Sequence, residues 1–181
     1  MDESPAVTDG DPRTGRPRLP LLLGVVAVLV IALDQAAKYL AVRDLTPGEP
    51  VGVIHGLLQF RLIRNSGAAF SVATGMTWVL TLVATTVSVV IVRAARRLGS
   101  VRWALALGLL LGGAVGNLLD RLFREPAFGR GHVVDFIEYL KFPFMDFPVF
   151  NVADSCVVTA ACLIALLGFL GVGLDGRRVT G

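Results

Sequence analysis

Four long apolar segments constrain this chain more than any other feature of its sequence. Each is long enough to cross a lipid bilayer, which takes about 17–25 residues, and each is bounded by proline, glycine or charged residues. The segments are Leu19–Val42, Thr74–Val92, Val101–Leu122 and Val149–Leu170. We therefore predict an all-α membrane protein with four transmembrane helices.

The composition fits this fold class. Of the 181 residues, 54% are hydrophobic and 17% are charged, so the chain is more apolar than an average globular domain. No long linker interrupts the apolar segments, and we expect residues 19–174 to form one domain. Residues 1–18, rich in Asp, Pro, Gly, Thr and Arg, predict a disordered cytoplasmic tail. We expect residues 175–181 to form a cytoplasmic tail at the other end. No small-residue cleavage site follows the first apolar run, which we expect to remain as an anchor.

Basic residues flank the apolar segments, as membrane topology requires. They form three clusters: Arg13, Arg16 and Arg18; Arg93, Arg96, Arg97 and Arg102; Arg177 and Arg178. With four spans all three clusters lie on one side, so the positive-inside rule predicts that both termini are cytoplasmic. The net charge of +3 is too small and too scattered to indicate nucleic-acid binding.

The two connections on the other side are more structured than plain loops. In Arg43–Ala73, the apolar residues Leu58, Phe60 and Leu62 alternate with polar ones and predict one or two β-strands. The connection Phe123–Pro148 mixes aromatic residues with glycine and proline. There we predict a short interfacial helix around Val134–Leu140, and its aromatic residues at the headgroup level are Phe136, Tyr139 and Phe142.

Polar residues within the first and third apolar segments are candidates for packing or function. Asp34 and Lys38 are four residues apart, acid first, which favours an intrahelical structural pair; a role for Lys38 as a base is the alternative. In the third segment Gly108, Gly112 and Gly116 leave one helix face without side chains and predict close helix packing.

The end of the third segment carries three polar residues on one helical face, namely Asn117, Asp120 and Arg121. Asp120 and Arg121 are compatible with a self-compensated structural ion pair. Asn117 has both donors and acceptors, so it can either tie helices together or hold a substrate carbonyl.

Two further carboxylates have contrasting surroundings. Asn151 can cap the fourth helix and place Asp154 in its first turn, where the helix dipole favours an ionised carboxylate. Asp135 lies among apolar residues such as Val134 and Phe136, so desolvation should raise its pKa. One charged and one neutral carboxyl group is an arrangement that acid–base chemistry uses. A simple capped helix start is the alternative, and the sequence separation leaves open whether the two groups meet.

The remaining reactive side chains indicate no metal or disulfide. Cys156 and Cys162 are both in the last apolar segment, and we interpret them as packing residues. His55 and His132 are too few and too far apart in sequence for a zinc motif.

Five short motifs occur in order along the chain: DQAAK, RNSGAAF, GGAVGNLLDR, VVDF and FNVADS. Together they cover most of Asp34 to Ser155, and the sequence resembles lipoprotein signal peptidase (signal peptidase II), a bacterial intramembrane aspartic endopeptidase. The resemblance implies four transmembrane helices, a small extracytoplasmic β-cradle and a short periplasmic helix over the site.

The resemblance also implies roles for the polar residues. Asp135 and Asp154 would form the catalytic dyad, and Asp34 and Lys38 would be structural. The expected supporting or substrate-positioning residues are Asn65, Asn117, Asp120, Arg121 and Asn151. The implied nucleophile is water activated by the dyad, with no metal or organic cofactor.

The implied substrate is a prolipoprotein whose lipobox cysteine carries diacylglycerol, cleaved just before that cysteine. We expect a monomer in the bacterial cell membrane, in contact with membrane lipids, with its site toward the extracytoplasmic face. Two other classes remain as alternatives. A small transporter or proton relay also uses buried carboxylates, although it would place them near the membrane midplane. A structural or assembly protein would use the same polar residues only to join helices.

Overall fold

The computed structural model describes residues 18–67, 77–140 and 147–178. It contains four long helices: α1 (Arg18–Asp44), α2 (Thr77–Ala94), α3 (Val101–Phe123) and α4 (Val152–Phe169). Each is long and apolar enough to cross a membrane, which confirms the four predicted spans. The predicted N-terminal tail up to residue 17, the first residues of the second span and Phe142 lie outside the described residues.

Helix α3 is the centre of the bundle and packs on the other three helices. Its glycines permit this contact, because a Cβ on Gly112 would lie 2.6 Å from Val30 Cβ and 2.9 Å from the Ala27 carbonyl oxygen of α1. On the opposite side, a Cβ on Gly113 would lie 2.5 Å from the Ala153 carbonyl oxygen of α4. The close packing predicted from the glycine spacing is therefore confirmed.

The described basic residues of the three arginine clusters lie at one end of the bundle, which we call the arginine end. There Leu19 of α1 and Leu98, just before α3, belong to one buried cluster. The chain after α4 folds back onto the same place, because the Trp103 indole N–H donates to the Val172 carbonyl at 2.9 Å and Gly99 N–H to the Leu174 carbonyl at 2.9 Å. The opposite end is defined by a small β-sheet, and we call it the sheet end.

The sheet has three antiparallel strands in the order β1 (Val51–Ile54), β2 (Leu58–Asn65) and β3 (Val133–Tyr139). The strands predicted in the first connection are confirmed, whereas the short helix predicted around Val134–Leu140 is wrong. That segment is rich in β-branched and aromatic residues, and it pairs with β2 along most of its length. Phe150 pairs with its other edge, so a helix here would give up hydrogen bonds on both sides.

Successive side chains of β3 point to opposite faces of the sheet. Val134 and Phe136 pack with Leu62 and Ala41 against the last turns of α1. Asp135, between them, points to the opposite face, where the beginning of α4 lies. The sheet thus buries an apolar face on α1 and turns one carboxylate toward the helix bundle.

Candidate active site

The beginning of α4 is fixed by a reciprocal capping arrangement. The Asn151 side-chain oxygen accepts the Asp154 backbone N–H at 2.8 Å, and Asp154 Oδ2 accepts the Asn151 backbone N–H at 3.2 Å. The prediction that Asn151 caps the helix and Asp154 occupies its first turn is confirmed. Two donors that a helix start leaves unpaired are satisfied in this way.

Backbone pairing brings this helix start beside Asp135. The Phe150 carbonyl accepts a hydrogen bond from the Ile137 N–H at 2.7 Å, and the Phe150 N–H donates to the Ile137 carbonyl at 2.8 Å. Phe150, which directly precedes Asn151, is therefore paired with β3. Asn151 Nδ2 then donates to Asp135 Oδ1 at 2.7 Å. Asn151 therefore contacts both carboxylates, and the structure brings Asp135 and Asp154 together.

Asp135 is almost fully buried, with 2% of its surface exposed. Its second oxygen accepts a hydrogen bond from Asn65 Nδ2 at 2.8 Å. Burial and the nearby Asp154 carboxylate raise the pKa of Asp135 from 3.8 to about 7, against the opposing effect of the two amide hydrogen bonds. The apolar neighbours in the sequence indicated this direction correctly.

Asp154 is held by Asn117, whose Nδ2 donates to Oδ1 at 2.7 Å. The side-chain oxygen of Asn117 accepts from Lys38 Nζ at 2.9 Å and from Asn151 Nδ2 at 3.1 Å. These two donors fix the orientation of the Asn117 amide, so its NH₂ group points to Asp154. Both interpretations of Asn117 from the sequence included hydrogen bonding. In the structure its side-chain partners are Lys38 of α1, Asp154 of α4 and Asn151, the N-cap residue of α4.

A cluster of buried charged side chains lies next to the two carboxylates. Lys38 Nζ lies 2.8 Å from Asp34 Oδ2 and 2.9 Å from Asp120 Oδ2, and none of the three side chains is exposed. The predicted pairing of Asp34 with Lys38 is confirmed. Asp34 also accepts the Ala153 backbone N–H at 2.9 Å, and Asp120 the Val134 backbone N–H at 3.1 Å. The cluster is therefore attached to the residues next to Asp154 and Asp135.

The ion pair considered for Asp120 and Arg121 is wrong. Residues next to each other on a helix point in different directions, whereas residues four apart share a face. Asp120 accordingly pairs with Arg124 at 2.7 Å as well as with Lys38. Arg121 donates weakly to the Asn117 carbonyl at 3.4 Å, lies in the field of Asp154 and Asp135, and has a buried Nε without a hydrogen-bond partner among the described residues.

Two residues of this network were missed by sequence reasoning. Gln35 Nε2 donates to the Gly116 carbonyl and the Asp34 carboxylate, both at 3.1 Å, and Arg124 contacts Asp120. The four-residue spacing of Asp120 and Arg124 was a usable signal, the same one that identified Asp34 and Lys38. Gln35 had no comparable signal, because its partners lie on another helix or next to it in the chain.

The fold and the site define a class: a multi-pass membrane protein with one buried and one half-buried carboxylate, joined through a shared asparagine, at one end of its helix bundle. The sequence model of one family, signal peptidase (SPase) II, matches residues 26–170. The chain belongs to the signal peptidase II family, and it is a peptidase.

Individual relatives agree with this assignment. A lipoprotein signal peptidase of Rhodococcus jostii is 50% identical over 176 residues, covering 94% of this chain and 86% of the relative. One of Mycolicibacterium smegmatis is 55% identical over 172 residues, covering 94% of this chain and 71% of the relative. A solved bacterial membrane enzyme, at 2.3 Å resolution, superposes with a TM-score of 0.73 at 28% identity, covering 87% of this chain and 91% of that one.

Proposed function

We propose that this peptidase removes the signal peptide from diacylglyceryl-modified prolipoproteins. It cleaves the bond before the lipidated cysteine, and Asp135 and Asp154 activate the attacking water. The observation that carries the proposal is the contact of both carboxylates with Asn151, which holds them on one site from two different elements. The substrate class is supported by membership in the family, whose members include proteins named lipoprotein signal peptidase.

The chemistry needs one proton on the carboxylate pair. The ionised carboxylate takes a proton from water while the water oxygen attacks the scissile carbonyl carbon. The protonated carboxyl gives its proton to the carbonyl oxygen, which forms a gem-diol. When this intermediate collapses, the C–N bond breaks, the leaving amine takes one proton and the pair again shares one. The pKa of Asp135 near 7 supports a singly protonated pair at neutral pH, although the two groups titrate together.

We assign supporting roles to the amides and the arginine around the pair. Asn65 orients Asp135, and Asn117 orients Asp154, each through one N–H donor. We assign Arg121 the binding of a carbonyl of the substrate backbone, because its guanidinium group lies in the field of both carboxylates. Asp120 positions β3 through the Val134 backbone N–H. Alignment of this kind lowers the barrier because the reacting groups are oriented before the reaction begins.

We also propose that the protein lies in the cell membrane with both termini cytoplasmic and the site at the extracytoplasmic face. The support is the position of the described arginine clusters at the end opposite the carboxylates. Cysteine labelling tests this after Cys156 and Cys162 are changed to alanine. In intact cells, a membrane-impermeant maleimide should label Phe128→Cys and not Arg97→Cys. The reverse pattern would show that the topology is inverted.

The decisive experiment is cleavage of a diacylglyceryl-modified prolipoprotein by purified enzyme in detergent, read by mass. Asp135→Asn and Asp154→Asn should each reduce cleavage by about 100-fold or more, with helicity and melting retained. Asp44→Asn is the matched control, because Asp44 is exposed at the sheet end of α1 and contacts neither carboxylate. Asp120→Asn should keep measurable cleavage and lose stability.

The alternatives give different results in the same assay. If these residues only join helices, Asp135→Asn should cleave normally while its melting temperature falls. If the protein is a transporter or proton relay, the wild type should release no signal peptide from the lipidated substrate. Either result would refute the carboxylate-pair mechanism.

A further inference from the structure

A large groove lies at the arginine end of the bundle, away from the carboxylates. Its volume is about 860 Å³, and it is bounded by the first half of α1, the last turns of α2 and the middle of α3. The lining is mostly apolar, and includes Val28 and Ile31 on one side and Val89 and Val92 on the other. The proposed mechanism makes no use of this groove.

The groove exists because α1 and α2 pack on α3 without closing on one another. Gly24 of α1 lines the groove, and a Cβ built on it meets no atom within 4 Å. By contrast, the glycines of α3 that face α1 are in tight contact. The gap is therefore open between two membrane-spanning helices, where an acyl chain can enter from the bilayer.

Two positive charges line the end of this apolar groove. Arg93 and Arg96 both belong to its lining and are exposed. Neither forms an ion pair with any residue in the described ranges 18–67, 77–140 and 147–178. Basic pockets between transmembrane helices bind the headgroups of anionic lipids. We propose that this groove binds one anionic phospholipid, with an acyl chain between α1 and α2 and its phosphate between Arg93 and Arg96.

Charge favours a lipid over the two other occupants of suitable shape. A signal peptide has a positively charged N-terminal region, and cleavage at the sheet end would place that region at the arginine end, against Arg93 and Arg96. A second copy of this chain would bring further arginines to the same place. An anionic phosphate is the partner that neutralises both guanidinium groups. The proposal does not depend on the peptidase mechanism, and its binding readouts require no cleavage.

The test compares phosphatidylglycerol with phosphatidylcholine of the same acyl chains, added to the purified full-length protein in neutral detergent. Retained lipid is measured by native mass spectrometry and stabilisation by melting. The wild type should bind phosphatidylglycerol more tightly. The double variant Arg93→Gln/Arg96→Gln should weaken that binding by about tenfold or more. The control Arg97→Gln/Arg102→Gln removes the same charge from the same arginine cluster, outside the groove lining, and should bind like the wild type.

A second pair of variants tests the groove itself. Gly24→Phe introduces a large side chain at the groove lining, at a position where the Cβ meets no atom within 4 Å, and should abolish retention of phosphatidylglycerol. Gly168→Phe is the control, since Gly168 of α4 is also free of neighbours within 4 Å and does not line the groove. Because the Cβ at either position meets no neighbour within 4 Å, we expect both variants to melt like the wild type without added lipid.

Four results would overturn the proposal. The first is equal binding of the two lipids, and the second is equal loss in the two arginine double variants. The third is stabilisation by inorganic phosphate alone that matches phosphatidylglycerol, which would identify an anion site without a lipid. The fourth is that Gly24→Phe raises the KM for prolipoprotein cleavage and still retains phosphatidylglycerol, which would make the groove a path for substrate.

Discussion

Replacing Lys38 by methionine tests how the buried charges support the site. Methionine keeps most of the length of lysine and removes the ammonium group that lies 2.8 Å from Asp34 and 2.9 Å from Asp120. Removing one partner of a buried ion pair costs about 3–5 kcal/mol, since it leaves an uncompensated charge. Asp120 keeps Arg124 at 2.7 Å, so the unpaired charge is mainly that of Asp34. We expect Lys38→Met to lower the free energy of unfolding by about 3–5 kcal/mol.

The assay is equilibrium unfolding in mixed micelles, followed by circular dichroism. Because Asp34 carries the unpaired charge, adding Asp34→Asn to Lys38→Met should restore much of the lost stability. Adding Asp120→Asn instead should restore little, since Asp34 stays charged and Arg124 loses its carboxylate. The reasoning is refuted if Lys38→Met unfolds within about 1 kcal/mol of the wild type, well below the cost of breaking a buried pair. Equal rescue by the two aspartate substitutions would refute it as well.

Three further predictions use the same preparations. In the folded protein Asp135, with its pKa raised to about 7, holds a proton that the unfolded chain loses near pH 4. The melting temperature should therefore fall between pH 4 and pH 8, and Asp135→Asn should reduce that fall. An unchanged dependence of melting temperature on pH in the variant would contradict the raised pKa. Gly112→Ala should lower the melting temperature, because its Cβ would lie 2.6 Å from Val30. Gly24→Ala, whose Cβ meets no neighbour, should raise the free energy of unfolding by up to about 1 kcal/mol. A more stable Gly112→Ala than Gly24→Ala would contradict the helix packing. Asn151→Ala should lower the free energy of unfolding by about 0.5–2 kcal/mol through loss of the helix cap. It should also reduce cleavage by more than this loss of stability explains. If cleavage falls only in proportion to stability, Asn151 acts only as a helix cap.

The helices and the local polar motifs were predictable because their signals are contained in short stretches of sequence. The length of an apolar run decides whether it can span a bilayer, and the four spans were found with shifts of only a few residues at their ends. The pairing of Asp34 with Lys38 and the capping of α4 by Asn151 depend on spacings of four and three residues. Such contacts form within one helix whatever the rest of the chain does.

The errors arose where a distant partner decides the structure. The segment Val134–Leu140 has aromatic residues suited to an interfacial helix, yet β2 and Phe150 offer it hydrogen bonds on both edges, and it forms a strand. The partner of Asp120 was misjudged for a related reason: Lys38 is 82 residues away in the sequence and 2.9 Å away in space. No periodic pattern in either segment reports these contacts.

The buried charges also bear on the alternative that polar residues here only join helices. Lys38 compensates the buried charges of Asp34 and Asp120, so Lys38→Met leaves Asp34 unpaired, and Asp120→Asn leaves Arg124 without its carboxylate. Asp135 differs, because its two described hydrogen-bond partners, Asn65 and Asn151, are neutral amides. Its replacement by asparagine leaves no cation without a partner, and it removes a carboxyl whose burial is unfavourable to the ionised form. A residue kept only to join helices has no need of that carboxyl. Loss of cleavage in a stably folded Asp135→Asn variant would therefore identify a chemical role, whereas loss in Lys38 or Asp120 variants would be expected from destabilisation alone.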